Sequence, residues 1–436
     1  FGSFQDYLGK NKSTGGIKHK NEWVHLTDWD CVIFDEYHYG AWREKSKDLF
    51  EGEDKEFDMD MGDIKEFDED ILPIKTDHYL YLSGTPFRAI ESGEFIEEQI
   101  FNWTYSDEQR AKEEWIGEDN PYASLPRMVM LTYKMPDDIR DIALTTEFNE
   151  FDLNVFFKAE GKGVNAKFTY KEEVQKWLDL IRGSHQAANT DNLRLGVKKP
   201  PMPFSDIRLL NILTHTFWFL PTVASCHAMK NLMNSRHNIF YHQYEVVVAA
   251  GTDAGLGVDA LLPVYKAMND PLKTKTITLS CGKLTTGVSV KPWSGIFMLR
   301  NSSSPETYFQ AAFRVQTPWT VKNPTGLNPN EFEIIKNECY IFDFAPNRAL
   351  SQVADYSCRL NVGESNPEKK VEEFIKFLPV LAYDGSSMKQ IDAKGVLDMS
   401  MSGTTATLLA RRWESALLVN VDNETLARLM GNQKAL

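Results

Sequence analysis

The sequence predicts an α/β protein with two parallel sheets, followed by a helical region. Two patterns carry this expectation: short apolar runs that are β-branched or aromatic and bounded by polar residues, and helix-period stretches alternating with them. Size adds a third: 436 residues, 42% hydrophobic and 12% aromatic, fill two or three domains and exclude disorder as the main state.

In chain order the strand runs are Cys31–Phe34, Tyr79–Leu82, Met128–Leu131, Phe217–Leu220, Glu245–Ala249, Thr276–Leu279, Ile296–Leu299 and Tyr340–Phe344. Strands without polar alternation are those covered on both faces, as in a parallel sheet. Helix-like stretches at Pro221–Met233, Gly257–Met268 and Pro305–Phe313 separate the later runs, which is the layering of an α/β domain. A first sheet domain is therefore expected within 1–135, and a second within 206–345. Between them, 136–205 carries few strand signals and the run Lys198-Lys199-Pro200-Pro201, and reads as a linker or insertion. The remainder, 346–436, reads as mainly helical: Pro367–Leu378 sets Val371, Phe374, Ile375 and Leu378 on one face, and Thr404–Trp413 repeats the spacing.

Leu209–Met229 has no formal charge, but Asn211, His215, Pro221, Ser225 and His227 make it a buried strand, turn and helix start instead of a membrane span. The chain carries 48 Lys and Arg against 62 Asp and Glu, a net charge of −14. Residues 48–70 hold twelve acidic side chains against Lys55 and Lys65, so −10 of that charge lies in one insert and −4 in the rest. Such a run reads as a solvated loop, or as a device that keeps nucleic acid off one face. The five cysteines form no C-x-x-C pair, which points to a reducing, cytoplasmic compartment without structural zinc. The nine histidines contain no H-E-x-x-H; His215, His227, His237 and His242 read as satisfied structural histidines. Asp137, Asp138, Glu147, Glu150 and Lys158 read as surface. The chain opens at Phe1 without a signal peptide and closes at Leu436 within a helical pattern, so it reads as a piece of a longer protein.

The most informative segment is Trp29-Asp30-Cys31-Val32-Ile33-Phe34-Asp35-Glu36-Tyr37-His38. An apolar strand runs straight into two adjacent carboxylates, placing them at the carboxyl end of a strand, where open α/β sheets bind ligands. Adjacent Asp and Glu suit phosphoryl transfer to water: one holds Mg²⁺, the other orients and deprotonates the water. A second strand repeats the design in Tyr79-Leu80-Tyr81-Leu82-Ser83-Gly84-Thr85-Pro86, ending in small hydroxyl residues and a glycine that allow close approach to a phosphate.

Asp35-Glu36-Tyr37-His38 resembles motif II, the Walker B or D-E-x-H box, of superfamily 2 DEAD/DEAH-box helicases and translocases, and Ser83-Gly84-Thr85-Pro86 resembles their motif III. Leu284-Thr285-Thr286-Gly287-Val288-Ser289 resembles motif V, Gln310-Ala311-Ala312-Phe313-Arg314-Val315-Gln316 resembles motif VI, and Phe217-Trp218-Phe219-Leu220-Pro221 stands in the place of motif IV. The resemblance covers about residues 1–345. With Ser3-Phe4-Gln5-Asp6 ahead of motif II, it is nearest in flavour to the ATPase subunits of type I and type III restriction enzymes.

The resemblance implies two RecA-like lobes, the first incomplete at its N-terminus, with ATP and Mg²⁺ as cofactors and DNA as the track. It implies that Asp35 holds Mg²⁺, Glu36 activates water and His38 links the nucleotide site to motif VI. Ser83, Gly84 and Thr85 would couple nucleotide state to DNA, Thr285 and Thr286 would touch the DNA backbone, and Gly287 would lie near the nucleotide. Gln310 and Arg314 would reach the nucleotide from the second lobe, where an arginine neutralises charge on the transferring phosphate. A nuclease or methyltransferase domain or subunit would complete the system, and no membrane is involved.

The departures are specific. Phe313 replaces the motif VI glycine, Thr317 replaces its second arginine, and no G-x-x-x-x-G-K-[S/T] loop is present at Gly9-Lys10 or Gly282-Lys283, so motif I is expected upstream of Phe1. An alternative from another class is therefore a non-hydrolysing module of helicase fold that binds nucleic acid or docks a subunit. A metal phosphoesterase using Asp35 and Glu36 alone would leave the second sheet and its motifs without a role.

Overall fold

A computed structural model of the protein describes residues 19–34, 74–82, 99–144, 151–184, 201–251, 258–282, 284, 288–302, 304–360, 364, 366–383 and 387–402. The chain divides into two compact units, Phe1–Ile100 and Phe101–Leu436.

In the first unit, helix α1 (Glu22–Leu26) precedes strand β1 (Trp29–Phe34), which pairs in parallel with β2 (Thr76–Tyr81). Val24 and Ile74 form a small core against Trp29, Val32 and Phe34. The Trp29 indole donates to the Val24 carbonyl at 2.9 Å, and the Tyr79 hydroxyl to Ile74 at 2.7 Å. These runs were expected to be covered on both faces. Instead Ile33 is 59% exposed and Tyr79 and Leu80 are each 46% exposed.

The second unit begins with α2 (Tyr105–Glu114), β3 (Arg127–Tyr133), α3 (Asp137–Arg140), α4 (Leu153–Phe156), the short pair β4 (Ala159–Glu160) and β5 (Lys167–Phe168), and α5 (Lys171–Ile181). It continues through α6 (Ile207–Ile212), β6 (His215–Phe219), α7 (Val223–Met233), β7 (Glu245–Val248), α8 (Val258–Met268), β8 (Thr276–Ser280), β9 (Gly295–Met298) and α9 (Pro305–Ala312). It closes with β10 (Thr320–Lys322), β11 (Phe332–Ile334), β12 (Glu338–Asp343), α10 (Pro346–Leu360), α11 (Pro367–Phe377), β13 (Val380–Tyr383), β14 (Met388–Gln390) and α12 (Ala393–Ser402).

Eight of these strands form one sheet in the order β14-β13-β3-β12-β9-β6-β8-β7, parallel throughout except at β13/β14. The central strands β6, β8 and β9 are buried at every position, including the hydroxyl residues Thr276, Thr278 and Ser280 that alternate with apolar ones along β8. The fold class is thus mixed α/β with a parallel-dominated sheet. Helix starts are set locally: Thr222 and Ser225 form a capping box at α7, and Ser304 caps α9 with Pro305 in its first turn. Gly295 opens β9 because a Cβ there would stand 2.4 Å from Leu213 and 3.3 Å from the Phe342 ring. The core centres on Trp177, Trp218, Phe297 and Phe344, with Trp218 and Phe297 centroids 4.6 Å apart and Trp177 meeting Phe344 edge-on at 5.2 Å.

Three placements differ from the sequence expectation. Strand β3, expected with the first lobe, lies between β12 and β13 in the large sheet; an all-apolar run specifies a buried strand but not its neighbours. The stretch 136–205, expected as a linker or insertion with few strand signals, supplies Phe156, Phe157, Trp177 and Ile181 to the main core, and its α5 is amphipathic and buries its apolar face. The region after Phe344, expected to be mainly helical, adds β13 and β14 to the sheet edge; Val380–Tyr383 is too short for periodicity to separate strand from helix. Helix α11 does bury Val371, Phe374 and Ile375, with Leu378 just beyond it. Thr404–Trp413 lies outside the described residues.

Candidate functional site

In the first unit the strands that precede the segments resembling motifs II and III are described, and those segments are not. Strands β1 and β2 pair from Trp29 opposite Thr76 to Phe34 opposite Tyr81, and the Leu82 N–H donates to the Phe34 carbonyl at 2.8 Å. The chain therefore leaves both strands at the same end, toward Asp35-Glu36 from one and Ser83 from the other. Asp35, Glu36, His38, Ser83, Gly84 and Thr85 lie outside the described residues.

In the second unit the carboxyl ends of the parallel strands gather the remaining segments. Strand β6 ends at Phe219 and continues into Leu220-Pro221, the place of motif IV; β8 ends in Ser280, whose hydroxyl donates to the Ala249 carbonyl at 2.8 Å. Thr285, Thr286 and Gly287 lie outside the described residues, while Leu284 and Val288 on either side are buried. Helix α9 carries Gln310, and Arg314 follows in a 3-10 turn, Phe313–Gln316. Arg314 Nη1 donates to the Val288 carbonyl at 2.6 Å and Nε to the Gln310 carbonyl at 3.1 Å. Arg314, in the segment that resembles motif VI, is thereby tied to Val288, in the segment that resembles motif V.

The residues that depart from the motif VI pattern have structural roles. Phe313, in place of glycine, packs near Tyr105, Phe309 and Tyr356, with centroids 5.7 to 6.0 Å away, and so joins α9 to α2 and α10. Thr317 turns inward, its hydroxyl donating to the Arg314 carbonyl at 3.4 Å. Gln316 donates to Glu108 at 2.9 Å, and burial raises that carboxyl above its ordinary range. Lys336 is buried and donates to the carbonyls of Lys291, Trp293 and Val315 at 2.7 to 2.8 Å; burial lowers its pKa to about 8.

Sequence reasoning did not single out three residues at the carboxyl ends of these strands. Arg300, buried at the end of β9, donates to the Cys281 carbonyl at 3.0 Å and lies 5.1 Å from the Phe219 ring, joining the ends of β8 and β6. Asn301 donates to Asp152 at 2.9 Å, accepts from the Leu153 N–H at 3.1 Å and accepts from Arg348. Asp343, at the end of β12, accepts from the Tyr308 hydroxyl at 3.0 Å and the Ala345 N–H at 2.8 Å; burial pushes its carboxyl up to about 6. The available signal was the polar Arg300-Asn301-Ser302 run directly after a fully apolar strand. His215 is a satisfied core histidine: Nδ1 meets Thr276 Oγ1 and Nε2 meets the Pro271 carbonyl, both at 2.8 Å, and burial lowers its pKa. Asp137, Asp138 and Lys158 are exposed.

Among the described residues no three His, Cys, Asp or Glu side chains form a group that could hold a metal ion, and no helix is long and apolar enough to cross a membrane. No protein-family model matches the chain. The chain is 26% identical over 432 residues to a Mycoplasma pneumoniae protein named "Putative type II restriction enzyme and methyltransferase RM.MpnORF110P C-terminus". The match takes in 90% of this chain and 57% of that relative, so the chain spans little more than half its length. Among solved structures, an ATP-dependent type ISP restriction-modification enzyme, LlaBIII bound to DNA, is similar at 12% identity and a TM-score of 0.39, over 74% of this chain and 18% of that one. S. cerevisiae Dbp5 bound to RNA and ADP BeF3 is similar at 9% identity and a TM-score of 0.34, over 86% of this chain and 64% of that one.

Proposed function

We propose that the chain carries the motor part of a restriction-modification enzyme: an ATP-hydrolysing, superfamily 2 helicase-like pair of RecA-like lobes that moves along double-stranded DNA. The observation that carries this reading is the in-register parallel pairing of β1 with β2, which sends the chain toward Asp35-Glu36 and toward Ser83-Gly84-Thr85 from adjacent strand ends. The bond from Arg314 to the Val288 carbonyl supports the second half of it, since it joins motifs V and VI. The Mycoplasma pneumoniae relative, named for restriction and methylation, supports the biological setting and a methyltransferase or nuclease partner.

The donor chemistry fits the cofactors in one respect and leaves another open to the longer protein. Adjacent carboxylates at a strand end suit Mg²⁺, a hard cation that takes oxygen ligands. Asp35 would hold it, and bound Mg²⁺ would supply neutralisation of phosphate charge. Glu36 orients and deprotonates the attacking water, and His38 relays nucleotide state toward motif VI. Ser83, Gly84 and Thr85 couple that state to DNA; Thr285 and Thr286 hold the DNA backbone, with Gly287 and Gln310 beside the nucleotide. Arg314 stabilises charge on the transferring phosphate if it exchanges its carbonyl partners for phosphate oxygens. No Walker A lysine is present in the sequence, so nucleotide affinity depends on a phosphate loop elsewhere in the protein.

The test is DNA-stimulated ATP hydrolysis by the protein extended upstream through a Gly-Lys-Ser/Thr loop. Glu36→Gln should lower the stimulated rate by about 10²–10⁴-fold, the range for loss of a general base. A second reading, a non-hydrolysing DNA-binding or docking module, is favoured by the engagement of the Arg314 guanidinium with two backbone carbonyls. DNA binding without hydrolysis, despite an intact phosphate loop, would establish that reading and sink the first.

A further inference from the structure

Among the described residues strand β7 is the last strand of the large sheet, and a groove of about 1040 Å³ is lined by its residues on the side away from β8. The chain steps from β6 through α7 out to β7, then back through α8 to β8. Right-handed crossovers in opposite directions put α7 and α8 on opposite faces of the sheet. The groove between them is therefore floored by the strand edge and walled by a helix on each side, with His227, Lys230 and Asn231 from α7 and Pro263 and Lys266 from α8.

The floor offers unused backbone groups. Glu245 and Ala249 donate their N–H groups to the Lys275 and Leu279 carbonyls of β8's edge, so ladder alternation turns the N–H and C=O of Val246 and Val248 to the open side. Among the described residues nothing bonds those outward groups. The collar is basic: Lys230, Lys266, Lys273 and Lys275 line the groove against one carboxylate, Glu245. Lys273 pairs with Asp270 at 2.8 Å and Lys275 donates to Gln243 at 3.2 Å, whereas Lys230 and Lys266 form no ion pair among the described residues. The groove lies toward the amino ends of the strands, since Lys273–Lys275 immediately precede β8, and thus away from the carboxyl ends that carry motifs IV to VI.

We infer that this groove binds an extended acidic peptide segment of a partner protein, added as a strand to β7. Strand addition satisfies the outward groups of Val246 and Val248, and alternate side chains of the added strand turn toward opposite walls. One set meets Lys230 and the other Lys266, so acidic residues of either parity find a cation. A nucleic-acid strand would meet the same lysines but has no amide ladder to complete the floor.

The probe is a fluorescent peptide of alternating Glu and Val about ten residues long, long enough to cover the strand, compared with the same peptide N-methylated at alternate residues and with a thymidine oligonucleotide of matching charge. Val248→Pro removes an outward N–H and no ladder bond, a change that edge strands tolerate, and far-ultraviolet circular dichroism checks the fold of each variant. We expect binding to weaken at least about tenfold with Val248→Pro and with Lys230→Glu combined with Lys266→Glu, and to vanish on N-methylation. The inference is overturned if the peptide fails to bind at about 1 mM, if Val248→Pro leaves its affinity unchanged, or if the oligonucleotide binds as tightly and ignores Val248→Pro.

Discussion

Asp343 ends β12 as a buried carboxyl group, held by the Tyr308 hydroxyl and the Ala345 N–H, with a pKa raised to about 6 by burial. A carboxyl that binds its proton more tightly in the folded chain stabilises that chain most below its unfolded pKa, and the stability declines as pH rises through the folded value. The window is about pH 4 to 6, and a shift of about two units corresponds to about 2–3 kcal/mol. Urea denaturation should show the wild-type chain losing about that much between pH 4 and pH 7 relative to Asp343→Asn, which keeps the shape and removes the titration. Parallel pH dependence in both proteins would mean that Asp343 titrates in the folded chain as it does in the unfolded one. At the same scale, Gly295 is set by contact: Gly295→Ala drives a methyl against Leu213 and Phe342, so the urea midpoint should fall by the equivalent of about 1–3 kcal/mol without a change of slope.

At the scale of elements, the turn that carries Arg314 is held from two sides. Lys336 donates to the Val315 carbonyl from below, and Phe313 packs with Tyr105 and Tyr356 from α2 and α10. Lys336→Met relieves the burial of an ammonium group, worth about 3 kcal/mol from its lowered pKa, but strands three carbonyls at about 1–3 kcal/mol each. The acceptors outweigh the charge, so the variant should be less stable by about 2 kcal/mol, with amide exchange at 313–316 accelerated; equal stability would show that the carbonyls find water. The sequence offered a resemblance to a motif here and gave no sign of the contacts that support the turn. Runs such as Thr276–Leu279 and Phe217–Leu220 declare strands because they are short, uncharged and β-branched or aromatic, and Thr222 and Ser304 announce helix starts by their chemistry. Strand order was not legible: nothing within Met128–Leu131 says that β12 and β13 are its neighbours. Arg300 and Lys336 were illegible for a related reason, since a cation joined to distant carbonyls looks in sequence like any surface cation.

At the scale of the whole molecule, charge placement decides how the proposed DNA track is reached. The net charge is −14, and residues 48–70 supply −10 of it, so a chain lacking that segment carries −4. Long-range repulsion from ten charges acts on a polyanion over about a Debye length, roughly 10 Å at 0.1 M salt and shrinking to about 3 Å at 1 M. If 48–70 keeps DNA off surfaces other than its track, deleting it should tighten DNA binding several-fold at about 50 mM salt. The steeper dependence on salt should make the gain disappear near 0.5 M, where screening removes the repulsion. Binding titrations of both chains across that range separate this from a merely solvated loop, whose deletion leaves the two salt curves superimposed. The ATPase rate adds an independent readout: a segment that steers DNA changes the concentration of DNA needed for half-maximal stimulation and leaves the maximal rate unchanged, because it alters encounter and not the carboxylates that follow β1.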